Sequence, residues 1–124
     1  MLDHMSIGVR DVAVSRRFYD AVFAALGYRC VYEGDGYAGY GDTGAEFWIN
    51  QSAQPVKDDP ESGLHVSFIA ADRAAVDAFH AMGLAMGGRD NGAPGPRPHY
   101  GATYYAGFIV DPDGYRIEAH TEAG

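Results

Sequence analysis

Two histidines, a glutamate and a tryptophan stand where a duplicated chain would bring side chains together. His4 and His65 are 61 residues apart, and Trp48 and Glu118 are 70 apart. Two imidazoles and a carboxylate, His4, His65 and Glu118, make a facial set of nitrogen and oxygen donors that holds a divalent ion and leaves coordination positions open. Zinc, nickel, iron(II), manganese and cobalt all accept such donors, and the donor types do not choose among them. Taken singly each residue is a weak signal, because a lone strand histidine is more often structural and a glutamate near a chain end is more often solvated. What joins them is the repeat, together with the cost of burying Glu118 between Ile117 and Ala119 without a partner.

The repeat is legible in the elements that would carry these residues. Leu2 to Val9 alternates like a strand, Asp11 suits a helix N-cap, and Val14, Phe18, Ala21, Val22 and Ala25 recur at helical spacing until Gly27, with Ser15, Arg16, Asp20 and Ala24 on the other face. Three short strands are predicted at Tyr28 to Glu33, Tyr37 to Gly41 and Glu46 to Asn50, set apart by glycine-rich hairpin turns. Residues 53–62 read as a connector. The order then returns: a strand at Leu64 to Ala70, Asp72 as N-cap, a helix carrying Val76, Phe79 and Met82, and Gly83 at its end. One offset of 61 aligns His4 with His65, Ser6 with Ser67, Asp11 with Asp72 and Phe18 with Phe79, as duplicated supersecondary units do. Nine extra residues then fall in Asn91 to Ala102, a Pro/Gly-rich loop of a length that usually serves function. Tyr104 to Val110 and Tyr115 to His120 form the last hairpin around Asp111-Pro112-Asp113-Gly114, whose composition marks a turn rather than a catalytic pair. The fold class is therefore α+β, two βαβββ modules with a cupped mixed sheet, in one domain over residues 1–124: module one about 1–52, linker 53–62, module two about 63–122.

With 124 residues and 47% hydrophobic content the chain can bury one real core. Its net charge of −8 repels phosphate backbones and anionic lipid surfaces, which argues against a nucleic-acid or membrane partner. Arg16-Arg17 and Arg97 are local places for a small anion, although a solvated helix face and loop is what base rates favour. No segment resembles a leader or a membrane span, so a cytoplasmic location is expected. Cys30 is the single cysteine and suits packing. Trp48, His99, Tyr100, Tyr104 and Tyr105 offer large apolar surfaces with polar tips, as the wall of a small-molecule pocket would. Alternation puts Tyr104 and Tyr105 on opposite faces, so one of them looks inward. His80 and His120 have no repeat partner of their kind and read as structural or exposed.

His4-Met5-Ser6-Ile7-Gly8-Val9-Arg10-Asp11 followed by Ser15-Arg16-Arg17-Phe18-Tyr19 resembles the opening of vicinal-oxygen-chelate proteins, the glyoxalase, bleomycin-resistance and extradiol-dioxygenase superfamily. Gly63-Leu64-His65-Val66-Ser67-Phe68 and Asp111 to Glu118 resemble its second-module histidine and closing glutamate, so the likeness spans nearly the whole chain. It implies that His4, His65 and Glu118 are metal ligands, and that the metal stabilises an anionic intermediate such as an enediolate. It implies a proton-exchange role for Glu118, and a homodimer in which His4 of one chain meets His65 and Glu118 of the other. Glyoxalase I has a further acidic ligand where this chain has Trp48, and Glu46 or Asn50 could replace it only by a register shift. The remaining set is that of fosfomycin-resistance enzymes and extradiol dioxygenases. Two functions follow as expectations: a divalent-metal-dependent enzyme acting on a small oxygenated molecule, of lyase, isomerase, transferase or dioxygenase type, or a non-catalytic protein that sequesters an antibiotic or other small molecule. Trp48 and the acidic surface favour the second for a cationic drug.

Overall fold

The structure, a computed structural model, describes residues 1–57 and 59–124. Module one runs β1 (Met5–Val9), α1 (Val12–Ala25), β2 (Arg29–Gly34), β3 (Tyr37–Gly41) and β4 (Ala45–Gln51). A short 3-10 turn at Pro60–Ser62 precedes module two: β5 (Val66–Ile69), α2 (Arg73–Ala85), β6 (Arg89–Pro96), β7 (Tyr105–Val110) and β8 (Arg116–Thr121). Each module makes a four-stranded mixed sheet in the same order, β1-β4-β3-β2 and β5-β8-β7-β6. β1 runs parallel to β4 with Ser6 beside Trp48, and β5 runs parallel to β8 with Ser67 beside Glu118. The two sequence offsets are thus one relation in space.

Local chemistry accounts for the helix ends. Asp11 Oδ1 accepts from the backbone N–H groups of Ala13 and Val14 at 2.9 and 3.3 Å, and Asp72 Oδ1 accepts from that of Ala75 at 2.8 Å. After α1 the chain turns away at Gly27, whose φ of 85° suits a residue without a Cβ. α2 departs from expectation: it continues past Gly83 to Ala85, and Gly87, with φ of 99°, is the turn residue. Gly83 is instead where the helix presses on β7, since a Cβ there would collide with Ile109. The helical faces also need correction. Met82 is exposed rather than in the core, and Ser15 is fully buried while Val14 is only half-buried, because a hydrogen bond to Asp113 draws Ser15 inward.

The proposed loop from Asn91 to Ala102 is half strand. Residues 91–96 belong to β6, which pairs with β7 through register shifts between Asp90 and Gly92 and between Gly92 and Gly95. Pro94 and Pro96 are tolerated because β6 is an edge strand, where a missing N–H donor leaves no ladder bond unmade. Strand ends elsewhere differ by a residue or a few, and His4 and His65 each immediately precede their strands.

The helices lie on one face of each sheet and pack against each other. Phe18 and Tyr19 of α1 and Val76 and Phe79 of α2 are fully buried. Phe68 of β5 meets Phe23 and Phe47 of module one edge-on, at ring centroid distances of 4.9 and 5.3 Å. A polar latch adds to this seam. Tyr19 Oη donates to Asp111 Oδ2 at 2.6 Å, Ser15 Oγ to Asp113 Oδ2 at 3.2 Å, and Tyr115 Oη to the Gly8 carbonyl at 2.7 Å. The Asp111-to-Gly114 turn is therefore structural, and it also fastens module two to module one. Burial pushes the Asp111 carboxyl up to about 6, against the lowering effect of its three donors. The opposite face of each sheet carries exposed or half-buried side chains, among them Ser6 and Trp48 in one and Ser67 and His120 in the other. Among the described residues no helix is long and apolar enough to cross a membrane.

Candidate functional site

Glu118 lies on the open face of the second sheet, in the middle of β8, yet only 3% of it is exposed. Its cover is polar. His65 Nε2 is 3.1 Å from Oε1, and Tyr104 Oη donates to Oε2 at 2.5 Å. The parallel pairing of β5 with β8 brings His65 there, since Ser67 sits beside Glu118 and His65 lies two residues earlier on the same face. Tyr104 reaches the same carboxylate because β7 pairs in regular register with β8, which turns Tyr104, Ala106 and Phe108 toward that face. Burial, and then the hydrogen bond to Glu118, push the Tyr104 phenol up to about 12, so at neutral pH it donates.

A train of rings extends from this point. Tyr104 stacks on His120 with centroids 4.7 Å apart and planes 7° apart, Tyr100 meets Tyr104 at 5.3 Å, and His99 meets Tyr100 at 4.2 Å. Ser67 Oγ lies 3.1 Å from His120 Nδ1 and closes the group from β5. Tyr105 points the other way, as alternation requires: its hydroxyl donates to Asp77 of α2 at 2.6 Å and Arg73 lies over its ring. Of the five aromatic residues expected in a pocket wall, Tyr104 touches Glu118, Tyr100 and His99 follow it in the train of rings, Trp48 lies on the first sheet and Tyr105 turns to the helix side.

Trp48 occupies the equivalent of the Glu118 position on the first sheet. It lies flat over Gly39, where a Cβ would come within 2.8 Å of the indole, and stacks on Tyr32 with centroids 5.7 Å apart. Tyr37 flanks it at 6.3 Å. The register has no shift between Trp48 and its neighbours on β1, so neither Glu46 nor Asn50 takes its place beside Ser6.

His4 is not gathered with the other two donors. Its Nδ1 is 2.7 Å from Asp3 Oδ2, and it borders a cavity of about 230 Å³ between the modules whose lining includes neither His65 nor Glu118. Among the described residues no three His, Cys, Asp or Glu side chains come close enough to share an ion. The donor set of module two nevertheless fits one. Two ligands each about 2.1 Å from an ion and about a right angle apart are about 3 Å from each other, close to the spacing of His65 Nε2 and Glu118 Oε1. A buried carboxylate also needs a counter-charge, and no Lys or Arg forms an ion pair with Glu118 among the described residues. On His4, a proton shared between Nδ1 and Asp3 leaves the Nε2 lone pair available, as in metal-bound histidines backed by a carboxylate.

Residues 1–119 match the family described as the Glyoxalase/Bleomycin resistance protein/Dioxygenase superfamily. The chain belongs to that superfamily. A crystal structure of a glyoxalase/bleomycin resistance protein from Albidiferax ferrireducens is 33% identical, with a TM-score of 0.83, 94% of this chain and 95% of that one being covered. The Fosfomycin Resistance Protein FosX from Mesorhizobium loti is 22% identical, with a TM-score of 0.71, covering 98% and 91%. A glyoxalase/bleomycin resistance protein/dioxygenase family enzyme from Burkholderia phytofirmans is 18% identical, with a TM-score of 0.71 and 98% of each chain covered. At these lower identities the likeness is one of fold. No functionally curated protein matches in sequence.

Several residues of this superfamily member's open faces escape a reading based on repeat identity. His120 was visible in principle, since it lies at even spacing from Glu118 along its strand. Tyr32 and Tyr37 carry only a weak strand signal. The orientation of Arg97 depends on the bulges of β6, which local spacing does not reveal.

Proposed function

We propose that the protein is a divalent-metal-dependent enzyme of the glyoxalase-like type, acting on a small oxygenated molecule. The observation that carries this reading is the buried Glu118 carboxylate, with His65 at 3.1 Å and, among the described residues, no Lys or Arg paired with it. His65 and Glu118 would hold the ion, and His4 of a second copy of the chain would complete the set. Side-by-side packing of the modules through α1 and α2 leaves both open faces uncovered, and a homodimer would bring the first sheet of one chain opposite the second sheet of the other. The bound ion would supply Lewis-acid stabilisation of an oxyanion.

The chain's own residues have separate tasks. Tyr104 holds Glu118 Oε2, which fixes the carboxylate with Oε1 toward His65. Glu118 would accept or return a substrate proton only when that hold loosens, because a carboxylate engaged on both oxygens is a weak base. Trp48, His99, Tyr100 and Tyr104 would form the walls that exclude water and orient the substrate, with Tyr105 left out because it faces α2.

Metal analysis of protein purified without chelator tests the reading. Stoichiometric metal in the wild type, lost in His65→Ala and Glu118→Ala, is the expected result; no uptake of zinc, nickel, manganese or iron(II) by the wild type would sink it. Sharing between chains is tested by mixing His4→Ala with His65→Ala protein. In a mixed dimer one of the two sites regains all three donors and random exchange makes half the dimers mixed, so about a quarter of the wild-type metal should return, whereas donors from a single chain would restore none. A second reading, a sequestering protein without catalysis, is favoured by the exposed aromatic shelf of Trp48, Tyr32 and Tyr37 in the place of a ligand carboxylate.

A further inference from the structure

Arg97, one residue past β6, is fixed on the same open face as Glu118. Its guanidinium lies 5.3 Å from the ring centroid of Phe108, and Phe108 stands directly opposite Glu118 in the β7–β8 pair. Residues so paired share a face, with Cβ atoms about 5 Å apart. The side chain is held in place by backbone carbonyls: Nη1 donates to Gly95 at 2.9 Å and more weakly to Pro96 at 3.4 Å, and Nη2 donates to Ala93 at 2.8 Å. The bulged, glycine-rich course of β6 makes this possible. A Cβ at Gly92 would come to 3.0 Å from the Phe108 ring and 3.4 Å from Nη2, and one at Gly95 to 3.3 Å from Nη1.

Carbonyls satisfy donors but do not neutralise charge. Among the described residues Arg97 forms no ion pair, in a chain that has 17 acidic residues against 9 basic ones. Water screens a half-buried guanidinium only in part, so an oxyanion that reaches it gains more than it would at a fully exposed one. Three of its five N–H groups are committed, which leaves two for a two-pronged contact with an oxyanion. A loop clamp alone needs the donors and not the charge.

We propose that Arg97 docks an acidic group of the substrate, a carboxylate or phosphoryl oxyanion distinct from the oxygens that approach His65 and Glu118. The inference rests on the open face of the second sheet being the substrate site. It makes the protein selective for anionic over neutral molecules and sets it against a cationic cargo.

Calorimetric titration of the protein as purified, and again after chelation, with benzoate, phenylphosphonate and neutral benzamide tests the assignment. At least one of the anions should bind tenfold or more tightly than benzamide, and whichever does names the oxyanion. Arg97→Gln should abolish that preference, and Arg97→Lys should retain only part of it. Equal affinity for benzamide and both acids, or an undiminished preference in Arg97→Gln, would overturn the proposal. Because the variant could disturb β6, a second arm uses labelled wild-type protein. The Arg97 Nε–H resonance should move saturably with the preferred anion and stay still with benzamide; a resonance unmoved by either acid counts against the proposal. Metal uptake of Arg97→Gln, measured separately, distinguishes the two failures. Normal uptake without anion preference rejects Arg97 alone, whereas anion preference in a protein that takes up no metal rejects the metal reading alone.

Discussion

The two modules share a backbone and differ in what they put at the same spot. In module one the strand beside β1 presents Trp48, lying over Gly39 and stacked on Tyr32; in module two the strand beside β5 presents Glu118, held by His65 and Tyr104. Both residues sit next to a serine in the same register, so the fold supplies a position and the side chain decides between an aromatic shelf and a carboxylate site. The hairpins before the last strands also diverge. The Asp42-Thr43-Gly44 turn of module one is exposed, while the Asp111-to-Gly114 turn of module two is folded into the seam between the modules.

If the scaffold is truly shared, its core should fail equally in either half. Phe18 and Phe79 are repeat-equivalent and fully buried, so Phe18→Ala and Phe79→Ala should each cost about 3–5 kcal/mol in urea denaturation. A difference larger than about 2 kcal/mol would show that one helix seats more loosely than its twin.

The turns should separate the modules by pH. The Asp111 carboxyl is raised to about 6 in the folded protein from an ordinary 3.8, so the folded state holds its proton over that interval and the unfolded chain does not. Its contribution is therefore fully present below pH 3.8 and is lost as the pH rises through 6, a swing of about 3 kcal/mol at most. Asp111→Asn should flatten that part of the stability profile, and Asp42→Asn in the exposed counterpart turn should leave it as in the wild type. Identical profiles for Asp111→Asn and the wild type would contradict the latch.

The chemistry of the two faces should respond differently to loss of one hydroxyl. Tyr104→Phe keeps the ring that stacks on His120 but frees Glu118 Oε2, and should weaken metal binding by about 10–100-fold, as loss of an outer hydrogen-bond partner does. Tyr32→Phe, which trims the shelf in module one, should leave metal affinity unchanged. The smallest effect concerns what the modules have in common. Gly27 and Gly87 both turn with positive φ and have nothing within 4 Å of a would-be Cβ, so Gly27→Ala and Gly87→Ala should each cost about 1–2 kcal/mol through backbone strain alone. Thermal melts of the two variants should match.

Most of the framework was readable along the chain. Asp11 and Asp72 as caps, Gly27 as a helix end, the alternation that parts Tyr104 from Tyr105 and the closing turn all depend on neighbours within a few residues. Gly83 misled because glycine after a helical stretch looks the same whether it ends the helix or lets β7 approach it closely. Asn91 to Pro96 misled because proline and glycine usually break strands, and only the edge position of β6 makes them harmless.

The amino-acid sequence by itself determined the doubled βαβββ order, the helix N-caps and the equivalence of Trp48 with Glu118, because periodicity, caps and repeat spacing are set over short stretches of chain. Only the tertiary structure decided that His65 and Tyr104 close on Glu118 while His4 stays with Asp3, that Ser15 and Asp111 are drawn into the seam, and that Arg97 is caged beside Phe108. Those outcomes depend on strand register, bulges and the docking of α1 on α2, which arise from competition among distant surfaces and leave no fixed spacing in the chain.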